Sequence, residues 1–188
     1  MLDKKSFADM ESYIKEEDSQ REEIIVRSRT VLKNSKAAIY SLHRKEITQA
    51  KKSLDDAKKT ISDLRKIIEK HPHLKQNLDN ALEEYCEACC FYGFIVDKKI
   101  PIYTELSVDP YTYLGGLSDL TGELSRRSVL EAIVKNKPEV KAIRELVEEI
   151  HGAFIKFDLR NGDLRKKADA IKWNLNKIEE ILYDLNKK

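Results

Sequence analysis

An all-α fold of seven helices is predicted for this chain by three observations: few helix breakers, many strong helix formers, and apolar residues recurring at three- and four-residue spacing. Only 6 Gly and 4 Pro occur among 188 residues, while Lys, Glu, Leu and Ile are abundant, a composition that favours long helices over strands. A chain of this length can build one sizeable core, and residues 1–188 are read as a single helical domain.

The first helix is expected over residues 1–17, with Phe7, Met10, Tyr13 and Ile14 as its apolar side. A second, over 19–45, carries Ile25, Ser28, Leu32, Ser35, Ile39 and Leu42, and its two serines would let a neighbouring backbone come close. The third, 48–70, spaces Ala50, Leu54, Ala57, Ile61, Leu64 and Ile68 along one stripe and ends at His71-Pro72. The fourth, 74–97, is the most apolar and should be central. Asp109-Pro110 starts the fifth, which runs to Lys135; an acid can cap the free N–H groups and proline presets the first turn. This helix holds Gly115, Gly116 and Gly122, residues that weaken a helix unless something must approach closely. Pro138 opens the sixth, with Val140, Ile143, Val147, Ile150 and Phe154 on one side. The seventh follows Asn161-Gly162, and its seam from Leu164 to Leu185 is long enough for a subunit contact.

With 35 basic and 33 acidic residues the net charge is only +2, so the overall balance selects no polyanionic partner. Lys4, Lys5, Glu11, Lys15, Glu16 and Glu17 interrupt the first apolar positions, which argues against a secretory leader. The longest nearly apolar run is about half a membrane span, and a soluble, cytoplasmic protein with no membrane contact is expected. Cys86, Cys89 and Cys90 cannot pair sensibly along one helix face and read as reduced, packed thiols. Cys86-x-x-Cys89 lacks the second pair that a zinc site needs.

Two apolar stretches, Glu84 to Val96 and Pro110 to Ser125, carry acids and contain no Lys or Arg: Glu84 and Glu87 in one, Asp119 and Glu123 in the other. At about 100° per residue, the first pair lies about 60° apart and the second about 40° apart, so each pair shares a helix face. Unpaired carboxylates in apolar surroundings must neutralise, pair or bind a cation, and hard oxygen ligands suit Mg²⁺ or Mn²⁺. Phosphodiester hydrolysis fits this set best, because carboxylate-bound metal attracts a polyanion that bare carboxylates would repel. A glycosidase could also use paired acids, but it would set aromatic platforms around a sugar cleft, and only one tryptophan is present. The bland alternative is that acids at these spacings are solvated decoration.

Arg29, Lys33, Lys36, Tyr40 and Arg44 fall within about 80° of one another beside the second helix's seam. Cations with an interleaved ring form a track for single-stranded nucleic acid, although a charged face is more often simply wet. Arg126 and Arg127 follow Glu123 closely and could reach a phosphate. The four histidines read as structural or surface residues, with only His43 near the basic stripe.

Four pieces of this chain resemble the translin and Trax family: Ser35-Lys36 with Leu42-His43-Arg44; Glu84-Tyr85-Cys86-Glu87-Ala88; the run from Tyr113 to Leu124; and Leu164-Arg165-Lys166 leading to Ile178-Glu179-Glu180 and Tyr183-Asp184-Leu185. Its most specific part is Asp119-Leu120-Thr121-Gly122-Glu123, which with Glu-x-x-Glu is similar to Trax, the catalytic branch, rather than to translin. The resemblance implies a translin-like subunit of seven helices, a homo-oligomeric shell of about eight subunits, and metal-dependent endonuclease activity on single-stranded RNA, with single-stranded DNA as a second ligand. Glu84, Glu87 and Asp119 match the acids that hold catalytic Mg²⁺, and Glu123 a supporting acid. The short connection from Lys98 to Asp109 differs from eukaryotic Trax. It indicates a simpler prokaryotic-type homologue with no obligatory translin partner. The rival reading is a noncatalytic, nucleic-acid-binding scaffold of translin type.

Overall fold

The computed structural model describes residues 2–187, and the described residues are all-α with seven α-helices. Helix α1 spans Lys4–His43, α2 Ile47–Lys70, α3 Gln76–Tyr92, α4 Tyr103–Leu106, α5 Pro110–Ile133, α6 Lys137–Phe154 and α7 Asp163–Lys187. The expected count holds, but its division differs. The two N-terminal helices expected at 1–17 and 19–45 are one continuous rod of 40 residues, because the chain has no proline before Pro72 and no glycine before Gly93 to end it. The count is made up instead by the single turn α4, within the short connection from Lys98 to Asp109.

The fourth expected helix starts and ends differently from a regular α-helix. A 3₁₀ turn over Pro72–Leu74 precedes α3, and the wider π-type turn Gly93–Asp97 follows it. There the chain doubles back, since a Cβ on Gly93 would lie 2.3 Å from the Lys99 carbonyl oxygen, and Lys98 completes the reversal at φ 55°.

Helices α1 and α2 form an antiparallel hairpin, α3 lies between α1 and α5, and α5 packs on both α6 and α7. The apolar centre runs from Ile24, Val31 and Leu42 of α1 through Phe91 of α3 and Leu120 and Leu124 of α5 to Ile143 of α6 and Ile171 of α7. Helix α3 is therefore central, as its composition indicates. The α7 seam is used within the chain: Ile171, Leu175 and Ile178 are buried against α5 and α6. No described helix is long and apolar enough to cross a membrane.

Helix ends hold the corners. Asp109 caps α5 by accepting the Thr112 N–H at 3.1 Å and the Thr112 hydroxyl at 3.0 Å. Helices α1 and α5 close alike: Glu46 N–H donates to Ser41 O and Lys45 N–H to Leu42 O, and Asn136 N–H donates to Glu131 O and Lys135 N–H to Ala132 O. In each motif a lysine takes the left-handed position, at φ 64° and 56°. The N-terminal half of α1 is tied to the α2–α3 corner by Glu17, which bonds both His71 and His73. Beyond that tie Phe7, Met10, Tyr13 and Ile14 are exposed.

Candidate metal centre and basic cleft

Close backbone contact between α3 and α5 creates the site. A Cβ on Gly116 would stand 2.8 Å from Cys86 Cβ, 2.9 Å from Glu83 O and 3.0 Å from Glu87 N, so only glycine lets the two acid-bearing helices lie this near. Gly115 does the same for a side chain, since its missing Cβ leaves the place where the Glu83 carboxylate rests, 1.6 Å from the ideal Cβ position. Gly122 has no such role, with its nearest neighbour, Asn174 Nδ2, 3.9 Å away.

The helix contact brings the four sequence-read acids into one electrostatic group. Glu84, Glu87 and Glu123 line a cleft of about 550 Å³ together with Lys36, Tyr40 and Arg126. Asp119 stands beside the cleft rather than on its lining, and its charge raises the pKa values of Glu84 and Glu87. Glu87 is only 7% exposed. Burial, then Glu84, Asp119 and Glu123, push its carboxyl up to about 8. Burial also raises Glu84; Lys36 pulls it back, while Asp119 and Glu123 add to the rise.

The apparent lack of counter-charge around these acids is corrected by distant parts of the chain. Lys167 of α7 donates to Asp119 Oδ2 at 2.6 Å and to Glu83 Oε1 at 2.7 Å. His43 Nε2 lies 2.5 Å from Glu123 Oε2, and that bond lowers the Glu123 pKa against the effect of burial. Lys36 Nζ is 3.9 Å from Glu84 Oε2, and Arg126 is 3.8 Å from Glu123. Glu87 alone of the four acids has neither an ion pair nor a side-chain hydrogen bond among the described residues. Among those residues no three His, Cys, Asp or Glu side chains are already arranged to hold a metal ion.

His43, Lys167 and Glu83 escape sequence reading for different reasons. His43 is buried with its ring 5.0 Å from that of Phe91, not a surface residue. Its one signal was its place beside Leu42 and Arg44 in a family-like piece. Lys167 gives no signal at all, being 48 residues from Asp119 and 84 from Glu83. Glu83 was masked by its neighbour Glu84 and becomes distinct only through its seat over Gly115.

Arg29, Lys33, Lys36, Tyr40 and Arg44 are all exposed along α1, and the Arg44 guanidinium sits 5.6 Å from the Tyr40 ring centroid. Arg126 is exposed at the cleft, but Arg127 is not a surface cation. It is 5% exposed, pairs with Glu131 at 2.6 Å and donates to the Leu42 and His43 carbonyls at 3.2 and 3.3 Å. Arg127 thus closes the C-terminus of α1 and is removed from the nucleic-acid-facing set.

The Translin family model matches residues 19–186. This chain belongs to the Translin family. An uncharacterized protein of Methanocaldococcus jannaschii is 30% identical over 170 residues, which are 88% of this chain and 76% of that protein. Translin of Homo sapiens is 34% identical over 79 residues, covering 42% of this chain and 35% of translin. The crystal structure of apo-NeC3PO superposes with a TM-score of 0.91 at 29% identity and covers 98% of both chains. AfC3PO with a duplex RNA has the same fold, at TM-score 0.86 and 21% identity over 96% of both chains. The translin-like, seven-helix architecture expected from the family-like pieces is therefore the architecture of this Translin-family chain.

Proposed function

We propose that this chain acts as a Trax-like endoribonuclease that binds single-stranded RNA and cleaves it with Mg²⁺ or Mn²⁺. The observation that carries this reading is Glu87: a buried carboxyl with no cation or hydrogen-bond partner among the described residues, facing a cleft shared with Glu84, Glu123 and exposed cations. A folded chain keeps such a group at a cost, and a divalent ion with hard oxygen ligands would remove that cost. The donors fit: Glu84, Glu87, Asp119 and Glu123 supply carboxylate oxygens only. When bound, the ion would activate water and offset charge on the phosphate and the leaving oxygen.

The chain's own residues supply the rest. Lys36 and Arg126, both on the cleft, would hold the phosphate beside the acids, while Tyr40 offers a ring for an unstacked base. Arg44, Lys33 and Arg29 extend the track along α1. Exposed Phe7, Met10, Tyr13, Ile14 and Trp173 provide apolar surface for a homo-oligomeric, octameric shell, with no separate translin partner required.

Cleavage of end-labelled single-stranded RNA, with and without EDTA, tests the enzyme. Wild type should cut only with Mg²⁺ or Mn²⁺, and Glu87→Gln and Asp119→Asn should lose at least about a hundredfold in rate. Undiminished metal-dependent cleavage by both variants ends this reading. A noncatalytic RNA-binding scaffold is the second reading, favoured by the cations already placed on Asp119 and Glu84. It predicts salt-sensitive RNA binding and no turnover with any divalent ion.

A further inference from the structure

Lys167 reaches the acid group from α7, 84 residues along the chain from Glu83 and 48 from Asp119. Its ammonium is shared between Asp119 Oδ2 at 2.6 Å and Glu83 Oε1 at 2.7 Å, and its side chain is 30% exposed. Glu83 is not on the cleft lining, and its carboxylate is seated in the space that Gly115 leaves open. One cation therefore joins an acid of the proposed metal set to an acid outside it.

We infer that Lys167 is the resident counter-ion of the site, holding Asp119 until a divalent ion displaces its ammonium onto Glu83. The inference rests on the proposed metal-holding role of Asp119. An ammonium and a divalent ion on the same carboxylate repel each other, and the repulsion is largest where the surroundings are partly dry. Removing Lys167 leaves the site more negative, so it binds a divalent ion more tightly. Without the ion, however, Asp119 and Glu83 lose their shared partner, and the fold weakens. Glu83 makes exchange inexpensive, because the displaced ammonium keeps a carboxylate and needs no passage into water. A purely structural salt bridge predicts lower stability alone, with metal affinity unchanged.

The test is calorimetric titration of the full chain with MnCl₂, paired with thermal melts in EDTA and in Mn²⁺. Lys167→Met should tighten Mn²⁺ binding about three- to tenfold, and Lys167→Arg, which keeps the charge, should stay within about twofold of wild type. In EDTA Lys167→Met should melt lower than wild type, and Mn²⁺ should raise its melting temperature by more. Glu83→Gln should weaken Mn²⁺ binding about threefold, an effect that shrinks when Lys167→Met is also present. Unchanged or weaker Mn²⁺ affinity in Lys167→Met, with wild type binding normally, overturns the counter-ion role while leaving the metal site in place. If Lys167→Met does not fold, unchanged affinity in Glu83→Gln overturns it. Absence of Mn²⁺ binding by wild type removes both this inference and the proposed metal site.

Discussion

Glu87 of α3 and Arg127 of α5 are both buried ionisable residues, and they carry opposite expectations. In metal-free protein the Glu87 carboxyl keeps its proton up to about pH 8, because burial and three neighbouring acids oppose its ionisation. An unfolded chain releases that proton in the ordinary carboxylate range, so between the two values the folded state binds the extra proton and stability falls as pH rises. Melting curves in EDTA should show this decline, and Glu87→Gln should flatten it and melt above wild type at about pH 8. Arg127 is the reverse case, a charge already satisfied by Glu131 and two α1 carbonyls. Arg127→Met should cost about 1–3 kcal/mol and lower the melting temperature by roughly 5 °C, because the Leu42 and His43 carbonyls lose a donor and Glu131 is left with Asn136 at 2.6 Å and Lys45 at 3.6 Å. Arg126→Ala should leave the melt unchanged and weaken RNA binding in a filter or fluorescence assay. Arg126 and Arg127 point about 100° apart on α5, but which of the two is exposed depends on the face of α5 that packing covers, and that is not written in their adjacency.

Helix ends and glycine contacts give the element-scale expectations. Asp109 is held down to about 2: burial opposes this, but Lys75 at 2.9 Å and the Thr112 bonds outweigh it. Its contribution is complete above the ordinary carboxylate range and is lost as pH falls through that range towards 2. Asp109→Ala should cost about 1 kcal/mol in denaturant unfolding near neutral pH. Lys135 sits at φ 56° in the motif closing α5, where glycine is unstrained, so Lys135→Gly should stabilise by about 1 kcal/mol in the same assay. Gly116→Ala would place a methyl group against the α3 backbone and should cost about 1–3 kcal/mol. The cap at Asp109 was legible because its chemistry is local, whereas the glycines signalled close approach without saying that α3 meets Gly115 and Gly116 but not Gly122. The merger of two expected helices into α1 was less legible, since the amphipathic pattern shifts near Ser19 while the backbone has no breaker there.

At the scale of the molecule, α1 joins two roles. Its C-terminal half supplies Lys36, Tyr40 and His43 to the cleft and to Glu123, while its N-terminal half reaches past the Glu17 tie with an apolar side uncovered. Deleting residues 1–16 should give a smaller assembly by light scattering while the remaining chain keeps its helical circular dichroism. The all-α class, most helix ends, the seam residues and the two acid pairs can be read from the chain alone, because propensity, capping and periodicity act over one to four residues. The bundle contacts set the electrical state of those acids. They place Lys167 on Asp119 across 48 residues and His43 on Glu123 across 80, while Glu87 is left buried without a partner among the described residues. Charge interactions depend on distance in space, and no local window on the chain contains the residues that folding makes neighbours.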